Sequence, residues 1–146
     1  MENHDWLKGL KRSDLLKEFS HEIKTVNGFN NLWSHQLVCL VLLFAFDRFM
    51  LHLDMGGGKT LISLFSVLDR KVAGQNPKAI VFVPYISSVD TWIEECKKHT
   101  PDLRLVPLLG TTVENLRKLE EKDGDVFVIC YASSVAMLSE KHPKKK

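Results

Sequence analysis

Charge of one sign is the plainest thing this 146-residue chain lacks: 20 Lys and Arg stand against 18 Asp and Glu, a formal net charge of +2. So small a balance gives no ground for nucleic-acid binding from charge alone. Cysteine is scarce. Cys39, Cys96 and Cys130 are far apart, odd in number and without Cys-x-x-Cys spacing. That pattern argues against a disulfide framework and a zinc site, and for buried free thiols in a reducing, intracellular compartment. Membrane-length apolar runs are missing too. Leu37 to Phe46 is a ten-residue apolar run ended by Asp47-Arg48. A spanning helix needs about 20 residues, so this run reads as a buried helix. The polar, mixed-charge N-terminus does not resemble a secretory signal, and no internal repeat is visible.

What is present is an ordinary globular composition, 45% hydrophobic and 26% charged. The length suffices for one domain with a real core and is short for two.

The most informative stretch is Met50-Leu-His-Leu-Asp-Met-Gly-Gly-Gly-Lys-Thr60. A short apolar run, Met50 to Leu53, leads into Gly56, Gly57 and Gly58, then Lys59 and Thr60. Leu61, Leu64, Phe65, Leu68 and Val72 follow at the spacing of one helix face. Strand, glycine loop, Lys-Thr and helix is the order that builds a triphosphate pocket. Glycines let the backbone curl with its N–H groups inward, and the helix N-terminus adds partial positive charge. In such a loop Lys59 reaches the β/γ-phosphates of a nucleoside triphosphate and the Thr60 hydroxyl ligates Mg²⁺. The strict phosphate-loop pattern asks for glycine at position 53, where Leu53 stands. The plain alternative is a glycine-rich turn with a chance lysine.

Along the chain, residues 1–26 read as one or two amphipathic helices, with Ser13 capping Asp14 to Val26 and Asn27-Gly28 as punctuation. Ser34 is the expected cap of the helix holding His35 and Gln36. Gly74 closes the helix from Thr60 to about Ala73. Ala79 to Val83 is a short β-branched strand of the kind buried on both faces, ended by Pro84. A helix over about Ser87–His99 follows, with Ser87/Asp90 or Thr91/Glu94 at capping-box spacing. Leu103 to Pro107 is a weaker strand. Thr111-x-x-Glu114 opens a helix that Gly124 closes, Asp125 to Cys130 is a fourth strand, and Ala132 to Lys141 a last helix. Alternating strands and helices predict an α/β domain with a mostly parallel sheet flanked by helices. The glycine loop, Pro84 and Tyr131 all follow strand ends, where such sheets bind ligands.

These positions together resemble the first RecA-like lobe of superfamily 2 helicase-type ATPases, and within them the Snf2-like branch. Asp54-Met-Gly-Gly-Gly-Lys-Thr60 looks like motif I of that family, which does not keep glycine at the position of Leu53. His35-Gln36 falls where the family places its Q-motif glutamine. Ala79 to Pro84, with Ser87-Ser88 and Trp92-Ile-Glu-Glu95, is similar to motif Ia, and Val128-Ile-Cys-Tyr131 to motif Ib. The likeness covers roughly residues 30–140. It implies a P-loop NTPase in which residues 1–28 form a helical extension and 29–146 part of the ATP-binding lobe. It further implies that Gln36, Asp54, Met55, Gly56, Gly57, Gly58, Lys59 and Thr60 hold ATP and Mg²⁺, with Lys59 and Thr60 catalytic. Pro84, Tyr85, Ser87 and Tyr131 would touch the backbone of double-stranded DNA, along which the motor moves or remodels protein–DNA complexes.

One family element has no counterpart. Motif II places an Asp-Glu pair at a strand end to hold Mg²⁺ and orient the attacking water. Glu94-Glu95 and Glu120-Glu121 fall inside expected helices, Asp123-Gly-Asp125 falls in a turn before a strand, and the strand through Cys130 runs into Tyr131-Ala132. The chain is therefore expected to be the N-terminal part of a longer motor, or a truncated relative, with motif II and the second RecA-like lobe supplied by the same or another chain. Alone it would hold ATP without useful turnover. A stand-alone lobe that regulates a partner motor or binds DNA without hydrolysis is the competing reading. A small P-loop kinase fits the motif Ia spacing less well.

Several residues have plainer readings beside these. Gln36 could be a surface amide. Trp92 is a core aromatic, and Tyr131 is divided between packing and backbone contact. His35 is structural or exposed, and His52 buried and hydrogen-bonded. Lys97-Lys98-His99 and Lys144 to Lys146 are solvated charge. Phe29 and Trp33 could stack on adenine or pack with the N-terminal helices.

Overall fold

The computed structural model describes residues 32–46 and 48–140, and the chain divides after Gln75 into two compact units. The helices expected over 1–26 with their Ser13 cap, the extension 1–28, Phe29 and Lys144 to Lys146 lie outside the described residues.

The described part of the first unit is a pair of helices, α1 (Ser34–Ala45) and α2 (Lys59–Val72), joined by the glycine loop. Leu32, Leu37 and Leu40 meet Ile62 and Phe65 in one buried cluster, with Leu51, Leu53, Leu61 and Leu68 against it. The apolar run from Leu37 is thus a buried helix. The expected stripe of α2 holds at Leu64 and Phe65, which are buried, and at Leu61 and Leu68, which pack on the cluster; Ile62 joins it, fully buried, while Val72 is about half exposed. The cause is helical geometry, because Ile62 and Phe65 share the turn that faces α1 and Val72 is the last residue of α2. Gly74 ends α2 as expected. Its φ is +81°, and Gln75 N–H donates to Arg70 O while Gly74 N–H donates to Lys71 O, both at 3.0 Å. That is the Schellman arrangement, which only a left-handed residue closes without strain. The Arg70 guanidinium lies 5.7 Å from the Phe44 ring centroid.

Two expectations for this unit are corrected. Met50 to Leu53 form no strand, because a strand exists only where a neighbour completes its ladder, and among the described residues none pairs with them. Ser34 does not cap α1. Trp33 holds the N-cap position with extended backbone, and the side-chain oxygen of Gln36 accepts its N–H at 2.8 Å.

The second unit holds β1 (Ala79–Val83), α3 (Ile86–His99), β2 (Leu105–Pro107), α4 (Thr112–Glu121), β3 (Val126–Cys130) and α5 (Tyr131–Glu140). The strands form a parallel sheet in the order β1-β3-β2, with Val83 opposite Cys130 and Leu105 opposite Val126. Each crossover carries a helix, so the unit is α/β as the alternating pattern predicts. β3 is buried at every residue, as a central parallel strand must be. β1 departs from that expectation: it borders the described sheet, and Ile80 and Phe82 are about half exposed. The core gathers Leu108, Phe127 and Ile129 with Val106, Leu119 and Met137.

Local chemistry sets the element ends. α4 opens on the expected capping box: Glu114 Oε2 accepts the Thr111 N–H at 2.8 Å, and Thr111 Oγ1 accepts the Glu114 N–H at 3.4 Å. Lys122, with φ +50°, closes α4 in place of Gly124. Gly124 answers to packing instead, since a Cβ there would lie 2.7 Å from Val106 Cγ2 and 3.0 Å from Phe127 Cζ. α3 starts one residue early, with Tyr85 at its N-cap and no side-chain cap, so Ser87 and Thr91 do not serve as caps. Trp92 is half-buried and all three cysteines are free and buried.

Candidate functional site

The loop after Leu53 is shaped by three backbone choices. Gly57 N–H donates to Asp54 O at 3.1 Å, and Gly56 between them has φ +81°. This is a turn whose third residue must be left-handed, which glycine supplies without a Cβ penalty. Gly58, also at φ +81°, is the N-cap of α2, and its carbonyl accepts the Ile62 N–H at 2.9 Å. The first-turn amides of Lys59, Thr60 and Leu61 have no acceptor within the helix, and the helix dipole concentrates positive potential there.

Lys59 folds back over this turn. Its Nζ donates to Leu53 O at 2.7 Å and Asp54 O at 2.9 Å. An ammonium has three N–H groups, so one remains for another acceptor. Asp54, Met55 and Gly56 are exposed, and Thr60 is half-buried in the first turn of α2.

α1 brings two side chains to the loop. Gln36 is buried; its Oε1 is committed to the Trp33 N–H, and its Nε2 lies 2.2 Å from where a Cβ on Gly58 would sit. Gly58 is therefore glycine for two reasons, its φ and its neighbour. The His35 Nε2 lies 3.3 Å from Gly57 O. The exposed Trp33 ring meets the His35 ring edge-on, with centroids 5.6 Å apart. His52 corrects an expectation: it is exposed, because the segment holding it lies in no strand.

This donor set suits an anion. Turn and helix amides, an ammonium and a hydroxyl converge on one short loop, and a side chain at Gly58 would fill the space that the Gln36 amide borders. Gln36, Asp54, Met55, Gly56, Gly57, Gly58, Lys59 and Thr60 are thus gathered within the first unit. Among the described residues, no group of three or more His, Cys, Asp or Glu side chains is placed to hold a metal ion.

The other expected site residues lie in the second unit, at the carboxyl ends of β1 and β3. Cys130 Sγ donates to Pro84 O at 3.4 Å, and the Phe82 and Tyr131 rings stack with centroids 6.3 Å apart. Tyr85 is 70% exposed and Tyr131 54% exposed. Helix α3 begins at Ile86 and α5 at Tyr131, so two helix N-termini stand at one end of two adjacent strands. Ser87 is exposed in the first turn of α3.

The contact of His35 with Gly57, twenty-two residues on, follows from no local sequence pattern. The adjacency of His35 to Gln36 is the signal available. Elsewhere in the unit, burial pushes the Cys39 thiol up from its ordinary pKa, opposed by a backbone hydrogen bond. A buried neutral thiol is a poor nucleophile, which fits a packing role.

The family described as "Type III restriction enzyme, res subunit" matches the chain over residues 13–146. No curated protein matches it. No helix among the described residues is long and apolar enough to cross a membrane.

Proposed function

The chain belongs to the family of type III restriction enzyme res subunits, a superfamily 2 helicase-type RecA-like domain, and from that premise we propose that residues 54–60 form its ATP-binding loop. The supporting observation is the left-handed pair Gly56 and Gly58, both at φ +81°, directly ahead of a fourteen-residue helix that begins at Lys59. ATP supplies the phosphoryl group whose transfer to water drives such motors. The chain's residues bind and orient. Amides of the loop and first turn of α2 hold the phosphate oxygens, the Thr60 hydroxyl is the Mg²⁺ ligand, and Lys59 leaves the Leu53 and Asp54 carbonyls for the phosphates. Gln36, on α1 beside Gly58, is the residue that the resemblance assigns to the adenine edge.

The reading extends to a motor on double-stranded DNA. The paired N-termini of α3 and α5, with Pro84, Tyr85, Ser87 and Tyr131 around them, support contact with a phosphate backbone, since first-turn amides and the helix dipole favour anions. The assignment to the Snf2-like branch rests on the wording of motifs I and Ia. Among the described residues no carboxylate pair follows a strand end, β3 running directly into Tyr131-Ala132. Residues 32–140 thus supply groups that bind the nucleotide, and the carboxylates that hydrolysis needs are not among them.

Ligand-induced stabilisation tests the loop. Saturation at about 100 times Kd adds about 2.7 kcal/mol to the unfolding free energy. Lys59→Ala is expected to abolish most of the shift; an equal shift in the variant places the nucleotide elsewhere. A steady-state assay of the same polypeptide with duplex DNA is expected to stay far below the enzyme median of about 10 per second. Turnover near that median overturns this reading of the carboxylates.

A further inference from the structure

We propose that His35 is a positioning residue of the triphosphate loop, setting the direction in which the Gly58 amide points. The inference rests on the nucleotide reading above and concerns how the loop keeps its shape.

A carbonyl oxygen can only accept. The contact between His35 Nε2 and Gly57 O at 3.3 Å therefore requires the proton on Nε2. The Gly57 carbonyl and the Gly58 N–H belong to one peptide unit. That unit is planar and trans, so the two groups point in opposite directions. Holding the oxygen toward α1 turns the Gly58 N–H away from it.

The remaining peptides cannot supply this control. Leu53 O and Asp54 O are held by Lys59, and Asp54 O also accepts the Gly57 N–H. These bonds fix the turn upstream of Gly57 and leave the 57–58 peptide to another partner. Like the 56–57 peptide it joins two residues without side chains, but the 56–57 unit is already held through the Gly57 N–H on Asp54 O. Gln36 borders Gly58 through its Nε2, but among the described residues no hydrogen bond joins that nitrogen to the Gly57 carbonyl, and its oxygen can only accept, as it does from Trp33 N–H. Among the described residues, His35 is the side chain recorded on the Gly57 carbonyl. Its ring is steadied by the edge-on contact with Trp33.

Inorganic tripolyphosphate is the probe, because it carries the phosphate chain without the base. Binding to the 146-residue chain is measured by calorimetry for the parent, Lys59→Ala, His35→Phe and His35→Gln. Phenylalanine keeps a ring against Trp33 and removes the donor. Glutamine places an N–H at similar reach. His35→Phe is expected to weaken binding about threefold to tenfold, the range of one neutral hydrogen bond, and His35→Gln to restore most of it. If the parent binds and Lys59→Ala does not, but His35→Phe binds like the parent or His35→Gln fails to restore, the role of His35 is overturned and the nucleotide reading stands. If the parent does not bind tripolyphosphate, both fall. Nitrogen NMR of the ligand-free chain gives a second measure: the neutral His35 ring should carry its proton on Nε2, and a ring protonated on Nδ1 overturns the contact.

Discussion

Replacing Gly58 with alanine separates backbone strain from side-chain crowding at the loop. At φ +81° an alanine meets its own backbone, a cost of roughly 1–2 kcal/mol for a left-handed L-residue. The added Cβ would also lie 2.2 Å from Gln36 Nε2 and 3.3 Å from its Cδ. A free side-chain end would swing aside at little cost. Gln36 is not free, being buried and bonded through Oε1 to the Trp33 N–H at 2.8 Å. Displacing it forfeits that cap bond, about 0.5–1.5 kcal/mol. Gly58→Ala should therefore destabilise the protein by about 1.5–3.5 kcal/mol. Gly56→Ala is the internal control, since Gly56 has the same φ of +81° and no atom within 4 Å of its Cβ position. It should cost only the backbone share, roughly 1–2 kcal/mol. Urea denaturation of both variants, with Gln36→Ala alone and combined with Gly58→Ala, closes a double-mutant cycle. The combined variant should lose less than the sum of the singles. If Gly58→Ala costs no more than Gly56→Ala, or the cycle shows no coupling, Gln36 does not border the loop and the account of the site fails.

Two further outcomes concern the second unit. Gly124→Ala pushes a methyl into Val106 Cγ2 at 2.7 Å and the Phe127 ring at 3.0 Å; overpacking of this kind should cost about 1–3 kcal/mol in urea titrations, and a neutral result would mean that the turn yields freely. The Glu114 carboxylate is held below the ordinary glutamate range, first by the backbone N–H of Thr111 and then by its hydroxyl. Because the folded pKa is depressed, this cap contributes above the ordinary range and is lost as pH falls through the lowered value. The stability gap between the parent and Glu114→Gln should accordingly narrow between about pH 7 and about pH 3, and a gap constant across that window would show that the carboxylate charge plays no part.

Much of the architecture was legible in local sequence. β1 falls on Ala79–Val83 as read, and α2, α3, β3 and α5 begin within a residue of their expected positions. Periodicity and β-branching carry that information because they act within a few residues. Thr111 and Glu114 announced the start of α4 for the same reason, both partners of the cap being three residues apart. Caps that depend on other chemistry depart from the local pattern. Gln36 displaced Ser34 as the group that satisfies the start of α1, and Lys122 took the left-handed position expected of Gly124.

By itself the sequence determined that a glycine turn would precede a helix headed by Lys59 and Thr60, since backbone freedom at Gly56 to Gly58 and the apolar spacing after them are local properties. It likewise determined an α/β alternation. Tertiary structure alone decided that β3 lies between β1 and β2, that Met50 to Leu53 form no strand, and that His35 and Gln36 reach Gly57 and Gly58. Ladder partners and through-space contacts join residues tens of positions apart. No local preference specifies them; they are set when buried surfaces such as those of Leu37, Leu40, Ile62 and Phe65 find one another and fix which backbone groups come within reach.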